Sequence, residues 1–207
     1  MYALVEDNNI TQIITNPKTM VIGDVRYPAK IFQLWSQSEL NAIGIYEVIT
    51  DSSNFKDEKW YINTNESYAF ADNQVTRSWG TATPKAHADS LWTQEDSDDG
   101  LMPDDKEVGD VKTRGLKYNL IQTIKQQASG LLAPTDWYVV KSTEVADYDV
   151  PANILSFRAD VRTKSNEMET MIDNCTTVDE LKALYEYTEQ EDGTITRPLP
   201  EFPKEVI

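Results

Sequence analysis

Few residues in this 207-residue chain are of types that do chemistry, and their spacing suits little of it. There is one histidine, His87, and one cysteine, Cys175. A general base poised near neutral pH is the usual requirement of catalysis. His87 lies in a polar stretch with Pro84 and reads as a solvated linker residue. No second histidine and no C-x-x-C pair exists to build a zinc site. No G-x-S-x-G, G-x-G-x-x-G or Walker A run occurs either. Paired carboxylates can serve a glycosidase, but with 35 acidic residues pairs are inevitable and carry no information. The nearest approach to a metal loop is Glu95-Asp96-Ser97-Asp98-Asp99-Gly100. Its glycine falls at position 6 of a calcium loop, yet Lys106 occupies position 12, where a carboxylate is required, and Pro103 interrupts it. That segment reads as an acidic stretch, and no cofactor or metal is expected. Cys175 reads as a small hydrophobe. Arg158 and Arg162, four apart, share a helix face and are placed to pair with Asp136, Asp149 or Glu144. That structural role is favoured over ligand binding.

The elements that would hold these arginines are legible in the apolar spacing. Leu116, Leu120, Ile124, Ala128 and Leu131, flanked by Ile121 and Leu132, mark one face of a helix. Gly130 lies in its last turn and Pro134 cannot continue it. The chain is expected to turn at Thr135-Asp136-Trp137 and cross a loop. Pro151 then suits the first turn of a second helix, with Ile154, Phe157, Val161, Met168 and Ile172 on one stripe and both arginines off it. Thr135 and Asp136 are expected to accept backbone N–H groups at a helix start, and Trp137 to fill the gap between helices.

The order L-L-A-P-T-D-W, then V-P-A-N-I-L-S-F-R-A-D-V-R, resembles the C-terminal region of the phage tail assembly chaperone-like proteins. That family includes small tail-fibre-associated proteins of tailed bacteriophages. Leu131, Leu132, Thr135, Asp136, Trp137, Pro151, Phe157, Arg158 and Arg162 occupy the positions of its pattern. Tyr138-Val139-Val140-Lys141 departs from it, where members often carry a polar residue and a proline-containing loop. The Tyr27-Pro28 pair, the L-x-x-x-G-I step from Leu40 to Ile45, and a hairpin ending near Trp79 fit layouts found in small phage virion proteins. The resemblance implies a non-enzymatic virion protein of the tail, a fibre-associated or connector component. Its partners would be other phage tail or fibre proteins, with a homo-oligomer in a symmetric assembly as one arrangement. It would be made in the host cytoplasm and located in the virion tail. The same resemblance admits a tail or tail-fibre assembly chaperone that is not retained in the virion. An unrelated acidic hydrolase is the third reading.

The expected fold class is α+β, a small N-terminal mixed β-sheet region followed by a C-terminal helical hairpin region. Residues 1–80 read as a β-rich domain. Strands at 2–6 and 10–15 flank the turn-forming Asp7-Asn8-Asn9, and a second hairpin at 68–71 and 74–79 surrounds Asp72-Asn73. Ser36-x-x-Glu39 is a capping box opening a short helix that Gly44 ends. Strands follow at 45–50 and around Trp60-Tyr61-Ile62. Residues 81–110 read as an acidic linker or arm whose apolar exceptions, Leu91, Trp92, Leu101 and Met102, are candidate partner contacts. Residues 111–190 read as a helical domain, with a second capping box at Thr177-x-x-Glu180. Residues 191–207 read as a proline-rich extended tail, begun by a turn at Asp192-Gly193, with Leu199 and Phe202 as anchors for a partner.

Composition narrows the classes further. A net charge of −16 repels nucleic acid, since duplex binding gains affinity by neutralising phosphates with Lys and Arg. The same charge suits solubility and basic protein partners. There is no apolar run near the length of a bilayer span, and the first residues lack a basic region and an apolar core. The expectation is a chain made in a reducing cytoplasm, binding neither membrane nor nucleic acid.

Overall fold

The computed structural model describes residues 1–204. The fold is α+β, and the chain divides into two compact units, Met1–Pro84 and Lys85–Ile207.

The first unit is organised by two tight hairpins. Strands β1 (Tyr2–Glu6) and β2 (Asn9–Ile14) meet at Asp7 and Asn8, with φ of 51° and 63°. Left-handed values at both central residues make the turn whose twist matches paired strands, and Asp and Asn tolerate them. Two short strands, β3 (Met20–Ile22) and β4 (Val25–Tyr27), pair with each other. Helix α1 (Ile31–Leu34) and helix α2 (Gln37–Ala42) follow. Ser36 and Glu39 form the reciprocal capping box at the start of α2. Gly44 then turns the chain with φ +83°, and a Cβ there would lie 2.6 Å from the Val5 carbonyl oxygen. That close approach lets the Val5 N–H donate to the Gly44 carbonyl at 2.8 Å, bringing β5 (Ile45–Thr50) beside β1.

The remaining strands of this unit are β6 (Tyr61–Ile62), β7 (Ser67–Ala71), β8 (Gln74–Ser78) and β9 (Thr83–Pro84), with β6 paired to β9. Asp72 and Asn73, at φ 50° and 58°, close the β7–β8 hairpin. The main sheet has the order β2-β1-β5-β8-β7, antiparallel except for the β5–β8 pair. Its edge strands β2 and β7 approach each other, so the sheet curls. Alternation along β1 then serves two cores. Leu4 joins Ile14, Ile31, Phe32, Leu40 and Ile45 under the two helices. Ala3 and Val5 join Val75 inside the curl, with Tyr46 and Phe70 against them.

The second unit begins with β10 (Ser90–Leu91), helix α3 (Gln94–Asp98) and β11 (Val111–Thr113), with β10 and β11 paired. Residues 81–110 are therefore not an extended arm. Thr93 and Asp96 make a capping box, so the acidic run forms a helical turn instead of a calcium-type loop. Lys112 pairs with Asp96, and with the Thr93 hydrogen bonds it holds that carboxyl at about 2. The preceding segment seats helix α4 (Leu116–Leu132): Ala86 and His87 carbonyls accept the Leu116 and Lys117 N–H groups at 3.0 Å. These are N–H groups that a helix start leaves without partners of its own. Gly115 permits it, because a Cβ there would meet the Ala88 carbonyl oxygen at 2.3 Å.

A 3₁₀ turn (Ala133–Thr135) leads into helix α5 (Asp136–Glu144), then α6 (Ala152–Asn174) and α7 (Val178–Ala183). The hairpin β12 (Thr188–Glu189) and β13 (Ile195–Thr196) follows. Helices α4 and α6 pack together, burying Ile124 and Ala128 against the α6 stripe of Ile154, Phe157, Val161, Met168 and Ile172. Val178 and Leu181 of α7 are buried as well. Cys175 is a buried free cysteine, and burial pushes its thiol above the ordinary range.

The proline-rich tail does not stand free. Leu199 is 2% exposed, and its N–H donates to the Leu184 carbonyl at 3.0 Å. Phe202 packs on the cluster of Ala128, Phe157 and Val161. Both residues, read from sequence as partner anchors, are used inside the chain's own helical unit. Residues 205–207 of that tail lie outside the described residues.

Candidate functional site

The residues of the T-D-W to F-R-x-x-x-R pattern meet at the corner where α4 ends, but not as their order suggests. The chain does not break into a loop after Trp137. It passes through the 3₁₀ turn and continues as α5, so Tyr138-Val139-Val140-Lys141 is helical. The residue that points inward is Thr135, which is fully buried. Its Oγ1 donates back to the Leu132 carbonyl at 2.7 Å and does not cap α5. Trp137 falls on the outer side of α5 and is 51% exposed, with its ring 3.8 Å from that of Tyr138. The small threonine fills the gap that the tryptophan was expected to fill.

Arg158, near the start of α6, is the anchor of this corner. It is 7% exposed although it carries a full charge. A buried charge is tolerated only where paired and hydrogen-bonded. All of its contacts run through Nη1, which donates to the Leu132 carbonyl at 3.0 Å, donates to Thr135 Oγ1, and pairs with Asp136 at 2.8 Å. Asp136 is thus an ion-pair partner and not a helix cap. Phe157, beside it, is 2% exposed in the α4–α6 core. Pro151 stands just ahead of α6 at the N-cap, its carbonyl accepting the Ile154 and Leu155 N–H groups.

Beside the corner, a cleft of about 470 Å³ opens between α4 and α6. Lys125, Ala128, Ser129 and Leu132 line it from α4, Asp136 from α5, and Arg158, Arg162, Ser165 and Asn166 from α6. Lys125 is engaged across the cleft by Glu169 at 3.3 Å, and Glu169 also accepts from Ser165 Oγ at 2.9 Å. Arg162 is exposed and donates only to the Arg158 carbonyl, at 3.3 Å. Among the described residues it has no carboxylate within ion-pair distance. Of the two arginines expected to pair around the corner, Arg158 does and Arg162 does not. Lys125, Ser129, Ser165 and Asn166 were not singled out by sequence. Their only signal was helical spacing, Lys125 and Ser129 flanking the buried Ala128, and Ser165 one turn beyond Arg162.

The other candidate contacts are scattered. Leu91 and Leu101 are 49% and 62% exposed. Trp92 is half-buried, with the Lys112 ammonium 4.6 Å from its ring, and Met102 is half-buried beside α3. On α5, Trp137 and Val140 lie one turn apart and are both 51% exposed, an apolar surface turned outward. No group of three or more His, Cys, Asp or Glu suited to a metal ion occurs among the described residues. No described helix is long and apolar enough to cross a membrane. Comparisons with protein families, with characterised proteins and with solved structures find no match to this chain.

Proposed function

We propose that this chain is a non-enzymatic component of a bacteriophage tail, fibre-associated or connecting, that acts by binding other tail proteins and stays in the virion. The observation that supports it most is the convergence of the pattern residues. Leu132, Thr135, Asp136 and Arg158, spread over more than a helix and a loop, join through one guanidinium nitrogen. The reading rests on these residues meeting in one corner, together with the order in which they resemble the tail-fibre-associated proteins. The outward apolar residues of α5 and the exposed Leu91 and Leu101 are contact surface for a protein partner. The charge of −16 weighs against a nucleic-acid partner.

A second reading is a tail or tail-fibre assembly chaperone that leaves before the particle matures. One observation favours it: the proline-rich tail is spent on the chain's own helices, so it is not available as the arm of a permanent connector. Protein analysis of purified particles separates the two. A tail component is retained at fixed stoichiometry, whereas a chaperone is depleted from particles and recovered with unassembled tail proteins.

A further inference from the structure

We propose that the α4–α6 cleft is a carboxylate-binding site that takes one acidic side chain of a partner segment, with Arg162 and the free edge of Arg158 as its donors. Three observations lead there. First, Arg158 is nine-tenths buried, yet every contact it makes uses Nη1. Its Nε and Nη2 have no acceptor among the described residues, and the side chain lines the cleft. A guanidinium fixed on one side and open on the other is an oriented fork, the geometry that receives a carboxylate by two parallel hydrogen bonds.

Second, the charges of the cleft are one anion short. Asp136 is taken by Arg158 and Glu169 by Lys125, which leaves Arg162 without a counter-charge. One carboxylate balances the set. Third, the lining combines neutral donors, the Ser129 hydroxyl and the Asn166 amide, with the apolar Ala128 and Leu132. Such a mixture suits a side chain with an aliphatic stem and a charged end, as glutamate has.

The chain's overall negative charge argues against a multiply charged ligand. A phosphate chain would be repelled by the surrounding surface, whereas a single carboxylate carried in on a docked protein is paired locally. That the carboxylate belongs to another tail protein rests on the function proposed above. The site itself does not.

The test is a titration of the full-length, ¹⁵N-labelled protein with N-acetylglutamic acid N-methylamide, which carries one side-chain carboxylate and no free terminus. The glutamine analogue is the neutral control and inorganic phosphate the competing anion. The expected result is saturable movement of the Arg158 and Arg162 Nε–H signals with the glutamate compound and not with the glutamine one, at an affinity on the order of millimolar. Arg162→Ala, at an exposed position, should weaken that binding about tenfold, the scale of one lost charge-assisted contact, while the α4–α6 core signals stay in place. No saturable movement, equal response to the glutamine compound, or unchanged binding by Arg162→Ala would overturn the proposal. Phosphate binding tighter than the glutamate compound would overturn the assignment to carboxylate. A failed titration leaves retention in the particle to be judged separately, and loss of the chain from particles leaves the titration readable.

Discussion

Replacing Arg158 by methionine should show that the corner is held by its buried hydrogen bonds and not by its ion pair. Methionine keeps much of the aliphatic stem and removes the charged head. The Leu132 carbonyl then loses one of its two side-chain donors and the buried Thr135 hydroxyl loses its donor, whereas Asp136, whose side chain is 59% exposed, returns to water. A hydrogen bond to a charged group contributes about 1.5–3 kcal/mol, and the contacts share one nitrogen, so they do not add in full. A loss of roughly 2–4 kcal/mol is expected once some packing is included. Asp136→Asn removes only the exposed half of an ion pair and should cost less than about 1 kcal/mol. Thr135→Val, isosteric but without the hydroxyl, should fall between, at about 1–3 kcal/mol for the loss of its two hydrogen bonds, to Arg158 and to the Leu132 carbonyl. Urea melts followed by helical circular dichroism read these differences, because the long helices all lie in the second unit. The reasoning is refuted if Asp136→Asn costs as much as Arg158→Met, or if Arg158→Met costs less than about 0.5 kcal/mol, the scale of an ordinary surface change.

Other outcomes follow from the same geometry. Phe157→Ala, at 2% exposure beside Ala128 and Val161, should destabilise by roughly 3–5 kcal/mol in denaturant melts, and a loss below about 1 kcal/mol would show that it is not core. Asp96 has a folded-state pKa of about 2 against an ordinary 3.8, so the stabilisation from its charged form is present above 3.8 and lost as pH falls through about 2. Hydrogen exchange of the β10–β11 pair should therefore speed up across that window, and Asp96→Asn should remove the dependence. The Leu199 amide, bonded to Leu184 in the free chain, should be protected in the isolated protein, and fast exchange there would show that the tail is not docked.

What the sequence reveals here is what neighbours along the chain decide. Asp7-Asn8 and Asp72-Asn73 take left-handed conformations because of their own side chains, so both hairpins were legible. The capping boxes at Ser36 and Thr177 and the α6 stripe are likewise local. The parallel β5–β8 pairing depends on contacts far apart in sequence and left no local trace. The acidic stretch at 94–99 is opened by a local capping box of Thr93 and Asp96, whereas the Lys112 that pairs with Asp96 lies well beyond it in sequence. The three prolines near the end spoke for an extended chain, but not for its docking, which the α4–α6 groove and Leu184 determine. At the corner, the sequence does not tell which roles Thr135, Asp136 and Trp137 take. Which of Thr135 and Trp137 turns inward follows from the 3₁₀ turn between α4 and α5. Charge usually stays outside, and the burial of Arg158 is made tolerable by the Leu132 carbonyl, the Thr135 hydroxyl and Asp136, which no sequence spacing announces.

The most direct test of the proposed function is quantitative protein analysis of phage particles purified from cells in which this chain is made. A retained tail component predicts this chain at a constant ratio to the tail proteins, unchanged by further purification and lost together with the tail when tails are removed. A chain depleted from mature particles yet abundant in the lysate would contradict retention and promote the assembly chaperone. A chain found neither in particles nor with any tail protein would contradict both.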